Sequence, residues 1–312
     1  MEINYDKNTL MLSGYPEIKK LGACSPYGEM TPFVFEGRLM RLELRDDTKG
    51  LDAYDESIGF VIRDVESGNI ISEGGKGHYY FSGLMDGDTF YIFCVESKKP
   101  SFSGDTVKVF ITKNLVDFEE KNLFKREGFS FFNTAPVKCD DGYALAVEAN
   151  EPAELVGIPF TCFFAKSKNL IDWEFLPDDT AFPRHRYIGG PCMKYSEGWY
   201  YLFGVTELPC ARYTNYLYRT KDFYTWEVGK YNPFLMPSNE DKLISPRAAG
   251  FTESFLDEIK TGFNIDNSDV DLCDYNGKVY INYSVGNQLG FYYMCEAEYD
   301  GTVAELLRRF FE

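Results

Sequence analysis

One phrase occurs three times along this chain at nearly constant spacing, and it constrains the fold more than any other feature. Residues 112–119 read Thr-Lys-Asn-Leu-Val-Asp-Phe-Glu, residues 167–174 read Ser-Lys-Asn-Leu-Ile-Asp-Trp-Glu, and residues 220–227 read Thr-Lys-Asp-Phe-Tyr-Thr-Trp-Glu. The copies begin 55 and 53 residues apart, and each follows a short apolar run that reads as a strand. A second repeat interleaves with the first: a strand, a turn closed by glycine, then an aromatic-rich strand. Its turn glycines are Gly37, Gly87, Gly142, Gly198 and Gly277, spaced by 50, 55, 56 and 79 residues. A turn residue followed by glycine between apolar runs is a hairpin signal. A period of about 50 residues suits one four-stranded propeller blade.

The expected fold is therefore all-β: one five-bladed β-propeller spanning 1–312, with four-stranded blades. The long last interval is assigned to an insertion at 232–267 between blades four and five, with a short helix near 251–261. A short C-terminal helix is expected over 303–311, with Leu306, Leu307 and Phe310 on one face. A strand near 9–12 is expected to complete the last blade. The 27 Phe, 23 Tyr and 3 Trp agree with a sheet-rich fold and supply rings that can stack on sugars.

A formal charge of −17 opposes binding to nucleic acid or to anionic membranes. The start Met-Glu-Ile-Asn-Tyr-Asp has no secretion signal, and no apolar run is long enough to span a bilayer, so a cytoplasmic protein is expected. The eight cysteines form no Cys-x-x-Cys pair and are read as reduced core residues. With two histidines and no paired thiols, zinc is not expected.

In a propeller the innermost strand A of each blade starts on the face where strand B ends, so side chains from those ends meet in one funnel. The B-strands end at Glu43, Glu96, Glu148 and Glu207, and in blade five at Asn287 and Gln288. A ring of carboxylates suits glycoside chemistry, where one acid protonates a leaving oxygen and another activates water. It would also suit a structural Ca²⁺; no other cofactor is expected. Asp269 is read as the one acid at an A-strand start, with Asp271 as its structural neighbour. Asn133, His78, His185, Arg186, Tyr187 and Arg212 are candidate substrate contacts. Arg247, in Ser245-Pro246-Arg247 of the insertion, is expected to lean over the funnel, or the insertion serves as a contact between copies of the chain.

The phrase Ser167-Lys168-Asn169-Leu170-Ile171-Asp172-Trp173-Glu174 and the hairpin Gly198-Trp199-Tyr200-Tyr201-Leu202 resemble the blades of five-bladed glycoside hydrolases such as families 43 and 117. The resemblance covers roughly 30–295. It implies a glycosidase acting on a short oligosaccharide, exo-acting and inverting. Family 43 places an acid before proline in the first A-strand; here that position is Thr31-Pro32, so its triad does not carry over. Asp269, Glu148 and Glu207 are taken as the catalytic carboxylates. A non-catalytic carbohydrate-binding propeller and a glycoside phosphorylase are the alternatives.

Overall fold

In the computed structural model, which describes residues 15–48, 57–97, 101–158, 160–287 and 289–312, twenty strands form five four-stranded antiparallel sheets. Blade one holds β2 (Gly28–Phe35), β3 (Arg38–Arg45), β4 (Gly59–Asp64) and β5 (Ile70–Gly74). Blade two holds β6 (His78–Asp86), β7 (Thr89–Glu96), β8 (Thr106–Thr112) and β9 (Glu119–Lys125). Blade three holds β10 (Ser130–Cys139), β11 (Gly142–Glu151), β12 (Thr161–Ser167) and β13 (Trp173–Phe175). Blade four holds β14 (Gly189–Ser196), β15 (Trp199–Leu208), β16 (Arg212–Thr220) and β17 (Trp226–Val228). Blade five holds β18 (Ser268–Tyr275), β19 (Lys278–Gly286) and β20 (Tyr292–Asp300), and is completed by β1 (Lys19–Ser25) along β20. The ring is thus closed by 19–25. The strand expected near 9–12 falls outside the described residues.

The repeated phrase is the turn between the two outer strands of a blade. The hydroxyls of Thr112, Ser167 and Thr220 accept from the backbone N–H of Leu115, Leu170 and Phe223 at 2.9, 3.0 and 2.9 Å. The Oδ1 atoms of Asn114, Asn169 and Asp222 accept from the next amides of the same turns. Short polar side chains that satisfy nearby amides fix a turn. Leu115, Leu170 and Phe223, with φ of 61°, 66° and 63°, drive their side chains into the core.

Apolar clusters fill the seams between blades one and two, two and three, three and four, and four and five. The seam between blades five and one adds an ionic cluster to two small apolar ones. Arg41, Glu43 and Glu296 are fully buried there; Arg41 Nε and Arg63 Nε lie 3.0 and 2.9 Å from Glu43 Oε1. Arg247 Nε lies 2.9 Å from Glu296 Oε1, and Tyr280 and Ser245 donate to the same carboxylate. Removing one member of such a cluster leaves a buried charge uncompensated. Arg41→Met is expected to destabilise the fold by about 3–5 kcal/mol in a denaturant titration.

The insertion runs along β1, with backbone hydrogen bonds joining Ala23 to Leu243 and Ser245 and Cys24 to Ala249. It carries helix α2 (Glu253–Thr261), after the single-turn α1 (Ala153–Val156) in blade three's top loop. Phe255 of α2 packs on Phe291. Helix α3 (Val303–Arg309) is followed by Phe310, which is fully buried together with Leu306 and Leu307. No described helix is long and apolar enough to cross a membrane. None of the eight cysteines is in a disulfide; Cys210, at the tip of the β15–β16 hairpin, is exposed rather than in the core.

Candidate active site

Every A-strand carries one residue more than the B-strand it faces, at the same place in the ring. Gly28 to Thr31 faces Leu44 to Leu42, and Ser268 to Asp271 faces Ser284 to Asn282. The same happens at Tyr79 to Ser82, Phe131 to Thr134 and Gly189 to Cys192. A bulge of this kind re-aims a side chain. The first bulged residues are Glu29, Tyr80, Phe132, Gly190 and Asp269. Four of them have positive φ: 27°, 60°, 49° and 48° at Glu29, Tyr80, Gly190 and Asp269. Three non-glycine residues held in that region mark strain of the sort found at functional sites.

The bulges surround a cavity of about 400 Å³ that also takes in Asn133, Glu148, Phe160, Tyr187 and Tyr213. Glu148 stands on β11 opposite the bulge of its own blade. Its Oε2 accepts from Asn133 Nδ2 and from the backbone N–H of Gly190, both at 3.0 Å. Asp269 Oδ2 accepts from Ser268 Oγ at 2.7 Å. Glu29 Oε2 is shielded from water and meets no donor. An arc of rings lines the same cavity. Tyr80 meets Phe132 at 5.5 Å between centroids, Phe132 meets Phe160 at 4.6 Å, Phe160 meets Tyr187 at 5.6 Å, and Tyr187 meets Tyr213 at 5.6 Å.

No Lys or Arg lines the cavity among the described residues, so the three carboxyls must manage their charge alone. Burial pushes Glu148 up to about 8, against the pull of its donors Asn133 and Gly190. Burial, then the charges of Asp269 and Glu148, hold Glu29 well above the usual carboxylate range. Burial also raises Asp269, opposed by the hydroxyl of Ser268. Such groups titrate as a set. Glu29, the one with no donor, is raised by the charges of both others and keeps its proton longest.

Gly190 holds two of the acids in place. Its N–H binds Glu148, and a β-carbon on it would collide with Asp269 Oδ1. Gly190→Ala is expected to fold with a loss of about 1–2 kcal/mol from the positive φ and to reduce turnover by about 10²-fold, as a small misplacement does. Thermal melting beside turnover measures both.

Below the cavity the channel narrows to about 40 Å³. Ser82 Oγ and Thr134 Oγ1 lie 2.8 Å apart across it, and Lys194 Nζ donates to Asp271 Oδ1 at 2.7 Å. Asp271 also accepts from the N–H of Leu272 at 2.6 Å, the bracing role expected of it.

The structure brings Glu148, Asp269, Asn133 and Tyr187 together. It places the other candidates elsewhere. Glu43 occupies the strand position of Glu148, since each lies one residue past the partner of an A-strand threonine, but Glu43 is sealed in the ionic seam between Arg41 and Arg63. Glu96, at the end of β7, pairs with Lys108 at 3.1 Å, and His78, at the start of β6, has its Nε2 3.4 Å from Glu120, so both side chains are tied to the outer strands of blade two. Arg247 is held by Glu296 and Glu298 rather than leaning over the funnel. Glu207, His185 and Arg212 are exposed at the blade-four rim beside the half-buried Arg186. Asn287 accepts from Leu289 N–H in the β19–β20 loop, and Gln288 lies outside the described residues. The reading of Asp269 as the one acid at an A-strand start is corrected: Glu29 stands at the equivalent bulge of blade one.

Solved structures of the same architecture carry sugar-active names. The chain shares the five-bladed propeller fold of family 43 and family 32 glycoside hydrolases. A BT0996 complex with RGII aligns over 93% of both proteins at 11% identity with a TM-score of 0.62. The family 43 BlXynB protein from Bacillus licheniformis aligns over 90% of this chain and 54% of its own at 13% identity, with a TM-score of 0.58. The Bombyx mori family 32 β-fructofuranosidase BmSUC1 aligns over 93% and 63% at 11% identity, with a TM-score of 0.55. No family model and no curated protein matches the sequence.

Proposed function

We propose that this propeller is an exo-acting glycoside hydrolase that removes one sugar unit from the end of a short oligosaccharide. The observation that carries this is the set of three uncompensated carboxyls, Glu29, Glu148 and Asp269, lining one cavity together with an arc of aromatic rings. Burying like-charged acids without a cation is costly and has no structural benefit. It supplies one protonated and one ionised carboxyl side by side, which glycoside cleavage needs.

Glu29, without a donor, holds its proton and is the general acid on the leaving oxygen. Glu148, whose Oε2 takes two N–H donors, ionises before Glu29 and is the base that activates water. Asp269 keeps the proton on Glu29 through like-charge repulsion. Attack by water on the face opposite the leaving group gives inversion. The rings of Phe132, Phe160 and Tyr187 flank the sugar, and the narrowing of the channel below the cavity favours a single terminal unit there.

A panel of aryl glycosides and oligosaccharides, incubated with and without phosphate, tests this reading. Release of a monosaccharide independent of phosphate is the expected result. Release only with phosphate would make the protein a phosphorylase, and no release across a broad panel would leave a binding module.

A further inference from the structure

The insertion at 232–267 is pinned at both ends to β16, the strand that carries Tyr213 of the cavity wall. Where it leaves blade four, Phe234 N–H donates to Asn215 O at 2.8 Å and Thr214 Oγ1 donates to Leu235 O at 2.7 Å. Where it enters blade five, Tyr213 N–H donates to Asp266 Oδ1 at 2.8 Å and Asn267 N–H donates to Tyr213 O at 3.1 Å. Ser268 and Asp269 follow at once. Between these ends the insertion supplies Asp241, which is fully buried, as is Asn267. Asp241 Oδ1 accepts from Lys20 Nζ of β1 at 2.7 Å and from the Tyr283 hydroxyl of β19 at 2.8 Å, and its Oδ2 accepts from Asn267 Nδ2 at 3.2 Å. Lys20 Nζ also donates to Asn267 Oδ1 at 2.8 Å, so both ends of the Asn267 amide are held.

An apolar contact would fill the same space without the desolvation of Lys20 and Asp241. What the network fixes is the backbone two residues before Asp269. That residue has a φ of 48°, a conformation that persists only where its neighbours over-determine it. We propose that Lys20, Asp241 and Asn267 are positioning residues for Asp269, so that the insertion completes the active site of its own chain. The consequence for turnover rests on the glycosidase reading above. The groups that act on Asp269 are Glu29 of β2, Glu148 of β11, Tyr187 before β14, and Asp266 and Ser268 beside it. If its carboxyl moves out toward water, the repulsion that keeps the proton on Glu29 weakens, and Glu29 ionises at lower pH.

Carbon NMR of protein labelled at the aspartate side-chain carboxyl tests the network without substrate. The Asp269 resonance, identified by its loss in Asp269→Asn, should titrate above the usual aspartate range in the wild type. In Asn267→Ala its midpoint should fall by at least about one pH unit. Asp241→Asn is the milder variant: its Oδ1 still serves Lys20 and Tyr283, while its Nδ2 meets two donors, Asn267 Nδ2 and Ser238 N–H. There the resonance should move in the same direction by less. Ile92→Ala, in the apolar seam between blades one and two, supplies a loss of stability elsewhere and should leave the resonance in place. On a substrate that the protein cleaves, Asn267→Ala should lower kcat by at least about tenfold with KM nearly unchanged. It should also move the basic limb of the pH–rate profile to lower pH. An Asp269 resonance that stays in place in folded Asn267→Ala or Asp241→Asn, or that moves as far in Ile92→Ala, would overturn the proposal. A shift in a protein that releases no sugar would keep the network's role and remove the hydrolase; sugar release with Asp269 unmoved would do the reverse.

Discussion

Glu29→Gln is expected to lower kcat/KM by about 10²–10⁴-fold on a glycoside with a poor leaving group, the scale of a lost general acid. The loss should shrink on a nitrophenyl glycoside, whose leaving group departs without a proton. Glu148→Gln should lose a similar factor on both substrates, because a base that activates water is needed whatever leaves. This contrast separates the two roles. Glu29 makes no hydrogen bond through Oε2, so an amide there disturbs little of the fold. A Gln at 148 can still accept from Asn133 and Gly190 through its carbonyl oxygen. Equal losses for Glu29→Gln on both leaving groups, with the leaving-group dependence appearing at Glu148 instead, would reverse the assignment.

The protein should be markedly more stable near pH 5 than near pH 9, and the cause lies in the same carboxyls. Glu148 has a folded value of about 8 against 4.5 for an ordinary glutamate. A raised carboxyl binds its proton more tightly in the folded state. Its contribution is therefore complete below about pH 4.5 and is lost as pH climbs toward about 8. At about 1.4 kcal/mol per pH unit between the two values, the change is several kcal/mol. Glu29 and Asp269 are raised and act in the same direction. The opposite trend comes from partnered surface acids such as Asp64 and Asp86, whose lowered values add stability that is lost only at more acid pH. Denaturant midpoints across pH 5 to 9 should fall steeply in the wild type and much less in Glu148→Gln. That variant should be the more stable protein at pH 9, a trade of stability for function. A wild-type midpoint that is flat or rises over this range would contradict the pocket's electrostatics.

The architecture is readable because its two turns are written in residue types. The Ser/Thr-Lys-Asn/Asp phrase satisfies turn amides with its own side chains, and pairs such as Glu36-Gly37, Glu197-Gly198 and Asn276-Gly277 supply consecutive positive φ angles. The site is legible only in part. Asp269, Glu148, Asn133 and Tyr187 follow from the strand ends, but Glu29 escapes that reading because Thr31-Pro32 takes the first A-strand position. A count from the turns finds it: Glu29, Gly190 and Asp269 each lie eight residues before the turn glycines Gly37, Gly198 and Gly277. Blades two and three break that interval, since Tyr80 and Phe132 lie seven and ten residues before theirs, which hides the pattern. The ionic seam is not legible at all. Glu43 and Glu148 share a strand position and a residue type, and what separates them is Arg41 and Arg63, brought in by neighbouring side chains and strands.

The protonation of the funnel carboxyls tests the proposed chemistry most directly and needs no substrate. Carbon NMR of protein labelled at the glutamate side-chain carboxyl, titrated from pH 4 to 10, should show a resonance with its midpoint near 8 that disappears in Glu148→Gln. Glu29 should supply a second glutamate resonance titrating far above the usual range, absent in Glu29→Gln. If every glutamate in the protein instead titrates below about pH 5.5, within the ordinary spread for exposed carboxyls, the funnel holds no proton to donate and the proposed acid and base are wrong.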